Sequence, residues 1–120
     1  MTLTLPWAPS ANNAYAVVRG RKIKTARARE YAHEVMWRVA DEMRVDPDGG
    51  WPTKHDRLTV TIDMYPPDRR RFDVAGKEKL PIDAVCKQLG IDDSQIDVLT
   101  LRRAPIDRTN PRVVLTLEAL

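Results

Sequence analysis

A chain of 120 residues holds one core and leaves no room for a separate binding module, so any functional surface belongs to a single domain, residues 1–120. Hydrophobic residues at 42% and charged residues at 31% exclude a disordered chain. No apolar run approaches membrane-spanning length and no charged leader precedes one, which predicts a cytoplasmic protein without a membrane partner. Twenty basic against 17 acidic residues leave a net charge of only +3, so an anionic partner would be met by local clusters and not by an overall field.

Thr2 to Leu5 alternates as a short strand, and Pro6, Pro9, Ser10, Asn12 and Asn13 break it into a loop. Tyr15 to Val18 and Lys22 to Lys24 flank Arg19-Gly20-Arg21 as a hairpin, whose tip carries Arg19, Arg21, Lys22 and Lys24. Four cations there suit an anionic partner. Thr25 is an N-cap candidate ahead of a helix with Ala28, Tyr31, Ala32, Val35, Val39 and Met43 on the stripe that should face the core. Pro47, Gly49, Gly50 and Pro52 end that helix in an exposed loop.

Leu58, Val60, Ile62 and Met64 alternate with Thr59, Thr61 and Asp63, the pattern of a half-buried strand. The basic loop Pro66-Pro67-Asp68-Arg69-Arg70-Arg71 then feeds a helix expected from about Val74 to Leu89 and stopped by Gly90. An interior proline costs ~3 kcal/mol in a helix, so Pro81 predicts either a kink or a later start. The lone Cys86, among Ile82, Val85 and Leu89, reads as a buried small hydrophobe without a disulfide. After an Asp92-Asp93 turn, Ile96 to Arg103 and Arg112 to Glu118 alternate as two more strands. The order ββ(β)αβαββ predicts an α/β chain of the α+β type, two main helices packed on a mixed sheet.

The residues that could carry chemistry concentrate between Asp68 and Gln95. Phosphodiester hydrolysis needs carboxylates to hold a divalent metal and cations against developing charge, and Asp73, Asp93 and Lys79 supply that set. Ordinary structural roles compete with this reading: Asp73 as an N-cap, Asp92-Asp93 as a turn, and Lys79 with Asp83 as an i,i+4 ion pair. The Arg69-Arg70-Arg71 run is either a solvated face or a set of phosphate contacts. His33 and His55 lack zinc-site spacing. No glycine-rich phosphate loop or nucleophilic triad is present, so no nucleotide cofactor is expected.

Two separated stretches resemble the RusA family of Holliday-junction resolvases. Leu5-Pro6-Trp7-Ala8-Pro9-Ser10-Ala11-Asn12-Asn13 is similar to the family's opening Leu-Pro-x-x-Pro-Ser-x-Asn segment. From Pro67 to Ile96 the chain shows the family's basic run, an Asp at a helix start, a helix lysine, and the Asp-Asp-x-Gln turn at Asp92-Asp93-Ser94-Gln95. The resemblance implies a homodimeric enzyme, dependent on Mg²⁺ with Mn²⁺ as substitute, that cuts branched DNA at four-way junctions by paired symmetric hydrolysis. By position, Asp73 and Asp93 match essential metal-binding carboxylates, Asp92 the neighbouring acid and Lys79 the helix lysine. Arg19, Arg21, Lys22, Lys24, Arg69, Arg70 and Arg71 are then the expected contacts to DNA phosphates.

The chain departs from the family where Asp-x-Asp-Asn is expected, reading Asp73-Val74-Ala75-Gly76. A metal-binding carboxylate is thus absent at Ala75, with Asp92, Glu78 and Asp83 as candidate replacements. Three readings follow: a metal-dependent junction endonuclease, a junction-binding protein impaired in cutting, and a dimerisation protein with no DNA partner.

Overall fold

The computed structural model describes residues 1–10 and 15–120, so the loop expectation at Ala11, Asn12 and Asn13 lies outside the described residues. The strands are β1 (Thr2–Pro6), β2 (Tyr15–Val18), β3 (Arg21–Lys24), β4 (Leu58–Tyr65), β5 (Ile96–Arg103) and β6 (Arg112–Ala119). The helices are α1 (Ala26–Val45) and α2 (Lys79–Leu89), with a short 3₁₀ turn at Asp93–Gln95. Among the described residues, one sheet runs β1-β6-β4-β5 and β2-β3 form a separate hairpin. The larger sheet is mixed as expected: β6 is antiparallel to β1 and β4, whereas β5 lies parallel to β4. A parallel pair needs a crossover, and α2 supplies it.

The inward face of the sheet is the apolar half of each alternation: Leu3 and Leu5, Leu58, Val60, Ile62 and Met64, then Val113, Leu115 and Leu117, all buried. Against it lies the stripe of α1, with Ala28, Tyr31, Ala32, Val35 and Val39 buried and Met43 packed at the margin. Thr25 accepts the Ala28 backbone N–H at 3.2 Å, the N-cap bond expected of it. Tyr31 carries its one polar atom into the core margin by donating to the Pro6 carbonyl at 2.8 Å, and burial raises its phenol above the usual range. Cys86 is buried, as its apolar neighbours predict.

Two local expectations need correction, and one strand takes a position the sequence leaves open. The helix α2 begins at Lys79 with Glu78 as its N-cap, five residues after the Val74 start that the apolar spacing suggests. Its first backbone bond runs from Ile82 N–H to the Glu78 carbonyl at 3.0 Å, so Pro81 occupies the first turn, where an N–H has no partner inside the helix anyway. The later start is therefore the outcome, and no kink is needed. In the hairpin, Arg21 belongs to β3. The turn is Arg19-Gly20, both at positive φ (52° and 75°), as a two-residue type I′ turn requires. Finally, β5 is an edge strand exposed along most of its length, with Val98 at 50% and Leu99 at 43% accessibility. Two ion pairs tie it to the end and middle of its neighbour: Arg57 with Asp97, and Arg102 chelated by Asp63 at 2.6 and 2.9 Å.

Candidate functional site

The crossover β4-α2-β5 positions every acid and lysine singled out from Asp73 to Asp93. Asp73 stands beyond the C-terminal end of β4, and Asp93 just before the N-terminal end of β5, so α2 runs between them. At 1.5 Å per residue that helix is ~16 Å long.

At its C-terminal end the backbone is fixed by a dense set of bonds. Gly90 takes the left-handed conformation (φ 69°) and the Ile91 N–H bonds back to the Cys86 carbonyl at 3.0 Å, closing the helix. Gln95, buried, accepts the Asp92 N–H on Oε1 at 2.9 Å and donates from Nε2 to the carbonyls of Thr53 (3.0 Å) and Asp56 (2.8 Å). Arg57 adds a bond to the Ser94 carbonyl at 3.1 Å. Asp92 is occupied locally: it accepts from the Ser94 hydroxyl at 2.6 Å, and that bond holds its carboxyl below the usual range. Asp93 is left exposed on a turn that cannot move independently of the core.

Asp93 lies within electrostatic reach of α2. Lys79 is paired to Asp83 at 3.5 Å, the expected i,i+4 contact, and its ammonium is raised first by Asp83, with Tyr15 and Asp93 adding to the effect. The Cys86 thiol is pushed up to about 11, mostly by burial, then by the carboxylates of Asp93, Asp83 and Asp92. The acids in electrostatic reach of Lys79 are thus Asp83 and Asp93.

The opposite end of α2 is held by different contacts. Asp73 is exposed and its carboxylate has no hydrogen-bond or ion-pair partner among the described residues. Because Glu78 caps the helix, the N-cap role considered for Asp73 is excluded. Ala75 is exposed, and Glu78, one candidate replacement for its missing carboxylate, accepts the Gly76 N–H at 2.6 Å. Arg69, Arg70 and Arg71 project into solvent, with only Arg70 loosely paired to Asp68 at 3.6 Å. The hairpin residues Arg19, Arg21 and Lys22 are likewise exposed, Lys24 is half-buried, and Lys22 lies 4.5 Å above the Tyr15 ring.

What the sequence reading misses is the anchor of this segment. Phe72 meets Trp7 edge to face, with centroids 5.1 Å apart and planes at 89°. Lys77, only 6% exposed, places its ammonium 4.4 Å from the Trp7 ring and 5.5 Å from Phe72. Arg103 stacks on Phe72 at 3.9 Å and donates to its carbonyl at 2.7 Å. Burial, with help from the nearby Arg27, lowers the Lys77 amine to about 8. An aromatic at 72 and a lysine at 77 flanking an otherwise polar loop are the sequence signal that could have drawn attention to this cluster.

Among the described residues, no three His, Cys, Asp or Glu side chains stand together as a metal-binding group. The donors present, exposed carboxylates that flank α2 in the chain, fit a hard, hydrated cation held through one or two oxygens, and do not fit a closed protein cage. Asp73 and Asp93 could each supply such an oxygen. Asp92 and Glu78 already spend theirs on local bonds. No helix among the described residues is long and apolar enough to cross a membrane.

Comparison with known proteins identifies the family. A family model described as Endodeoxyribonuclease RusA matches residues 6–118. The chain is similar to the crossover junction endodeoxyribonuclease RusA of Escherichia coli strain K12, with 31% identity over 117 residues that cover 97% of this chain and 92% of that protein. The Shigella sonnei protein of the same name matches over the same span at 31%. Its counterpart from Enterobacteria phage 82 is 31% identical over 116 residues, 96% of this chain and 91% of its own length.

Proposed function

Because the chain belongs to the RusA family of endodeoxyribonucleases, we propose that it binds four-way DNA junctions and cuts them in a reaction dependent on Mg²⁺ or Mn²⁺, as a homodimer whose two-fold axis pairs the cuts. The observation that carries the reading is the turn Asp92-Asp93-Ser94-Gln95, in which Gln95 locks the backbone so that Asp93 stays exposed beside the Lys79 and Asp83 pair. A divalent cation bound there would polarise a phosphoryl oxygen and acidify its water. Asp93 and Asp73 would hold it. Lys79, with its charge strengthened by Asp83, would stand against the negative charge that develops on the phosphate. Arg69, Arg70 and Arg71, free of strong ion pairs, would contact backbone phosphates, as would the hairpin cations.

One observation favours a second reading. Ala75 offers no ligand, and no three-ligand group stands among the described residues, which suits a junction-binding protein that cuts poorly. Incubating the chain with a labelled synthetic four-way junction, with and without Mg²⁺ or Mn²⁺, separates the two. Paired nicks only in the presence of metal support the endonuclease; a mobility shift equal in both conditions with no nicks supports the binder. No shift of any branched DNA at low salt removes both.

A further inference from the structure

A cleft of about 300 Å³ opens where α1, α2 and the end of β3 meet, lined by none of Arg69, Arg70 and Arg71 and, besides Lys24 and Asp83, by residues with no role in the metal site. Its lining combines Ala32 and Met36 of α1 with Ala84 of α2, beneath a rim of Lys24, Arg29, His33, Asp83 and Lys87. The small side chains explain why it exists. Ala32 and Ala84 are both buried where the two helices pack, and neither has the reach to fill the gap between them. The charges around it are unbalanced, three permanent cations against one carboxylate, and that carboxylate already faces Lys79 at 3.5 Å. Arg29 donates from Nη1 to the Lys24 carbonyl at 2.7 Å, which orients the guanidinium while leaving its charge without an acid. Lys87 is exposed and has no ion-pair partner among the described residues.

Lys79, Asp83 and Lys87 recur at four-residue spacing, so they lie on one stripe of α2, the helix within electrostatic reach of Asp93. The cleft is therefore continuous with the surface on which the strand would be cut. Resting on the junction-nuclease reading, we propose that this cleft seats a DNA backbone phosphate next to the cutting surface, gripped from opposite walls by Arg29 and Lys87 with Lys24 at its mouth. An oriented guanidinium fork opposite a mobile ammonium suits a phosphodiester, and neither contact depends on base sequence.

The test is the salt dependence of binding to a four-way junction in EDTA, so that cutting plays no part. Arg29→Ala and Lys87→Ala should each lower the slope of log affinity against log salt by about 0.9, the amount expected for one lost phosphate contact. Arg44→Ala is the matched control. It removes the same charge from the same helix, about 22 Å away at 1.5 Å per residue, where Arg44 pairs with Asp41, and it should leave the slope unchanged. Thermal unfolding of each variant should match the parent, since all three side chains are exposed. Slopes for Arg29→Ala and Lys87→Ala equal to that of the parent, or an equal drop in Arg44→Ala, would overturn the cleft while leaving junction binding intact. A parent chain that binds no junction at all would instead overturn the function on which the cleft rests.

Discussion

The two ends of α2 perform the same task, fixing an acidic residue beside the helix, by different physics. Behind its C-terminus, a buried glutamine, a left-handed glycine and an arginine hold residues 90–95, with directional hydrogen bonds to the loop ahead of β4. Ahead of its N-terminus, residues 72–78 hold no regular helix and rest on ring and cation contacts among Trp7, Phe72, Lys77 and Arg103. Stacking tolerates sliding; a hydrogen-bonded turn does not. The departures from the resolvase pattern, Ala75 and Gly76, fall in the tolerant segment, while the Asp-Asp-x-Gln turn is intact at the rigid one. Within that turn the glutamine is architecture and Asp93 is the group left to do chemistry.

The comparison breaks most visibly at Gln95. Gln95→Leu keeps the volume but leaves the Asp92 N–H and the Thr53 and Asp56 carbonyls without their partner, so it should cost about 3 kcal/mol in urea denaturation. A loss under about 0.5 kcal/mol, the ordinary range for surface changes, would show that the turn is not held this way. Phe72→Ala removes a half-buried ring with its two cation contacts and should cost less, about 2 kcal/mol. It should also speed proteolysis within residues 66–78 while leaving residues 90–95 protected. Equal protection of both segments would erase the distinction between them.

A smaller effect sharpens the contrast through pH. Burial lowers the Lys77 amine from its ordinary value to about 8 in the folded chain, so holding it charged costs stability. That cost is fully present below pH 8 and is relieved as pH rises from 8 through the unfolded value near 10.5, because the unfolded chain then binds the extra proton. Relative to Lys77→Met, the parent should therefore gain stability across that window. Parallel stability profiles for the two proteins would remove the desolvated lysine from the anchor.

Much of the frame is readable from residue order. Period-two alternation gives β1, β4 and β6, the Thr25 cap and apolar stripe give α1, and Gly90 marks the end of α2. The start of α2 is not readable in the same way. Val74, Lys77 and Leu80 have helical spacing; Pro81 points to a kink or a later start, and the tertiary anchor that fixes Phe72 and Lys77 accompanies the later start. That anchor depends on Trp7 and Arg103, each at least 26 residues away from Lys77, and no local pattern encodes such a meeting. The edge position of β5 is hidden for a related reason, since its alternation resembles that of a covered strand. Of the candidate site, the Lys79–Asp83 pair follows from its i,i+4 spacing, whereas the electrostatic reach of Asp93 to Lys79 depends on the turn at residues 90–95. The parallel β4–β5 pairing, which sets α2 between Asp73 and Asp93 along the chain, is not revealed by the sequence.

The central claim is that the rigid turn presents Asp93 for metal-dependent cutting. It is tested most directly by titrating Mg²⁺ into four-way junction cleavage assays of the parent and Asp93→Asn side by side. The parent should cut with saturating metal dependence. Asp93→Asn should bind junctions with unchanged affinity in EDTA and lose cutting by at least ~10²-fold, since the amide keeps the shape and removes the charge that holds the cation. Cleavage by Asp93→Asn at the parent's rate and metal dependence would contradict the account.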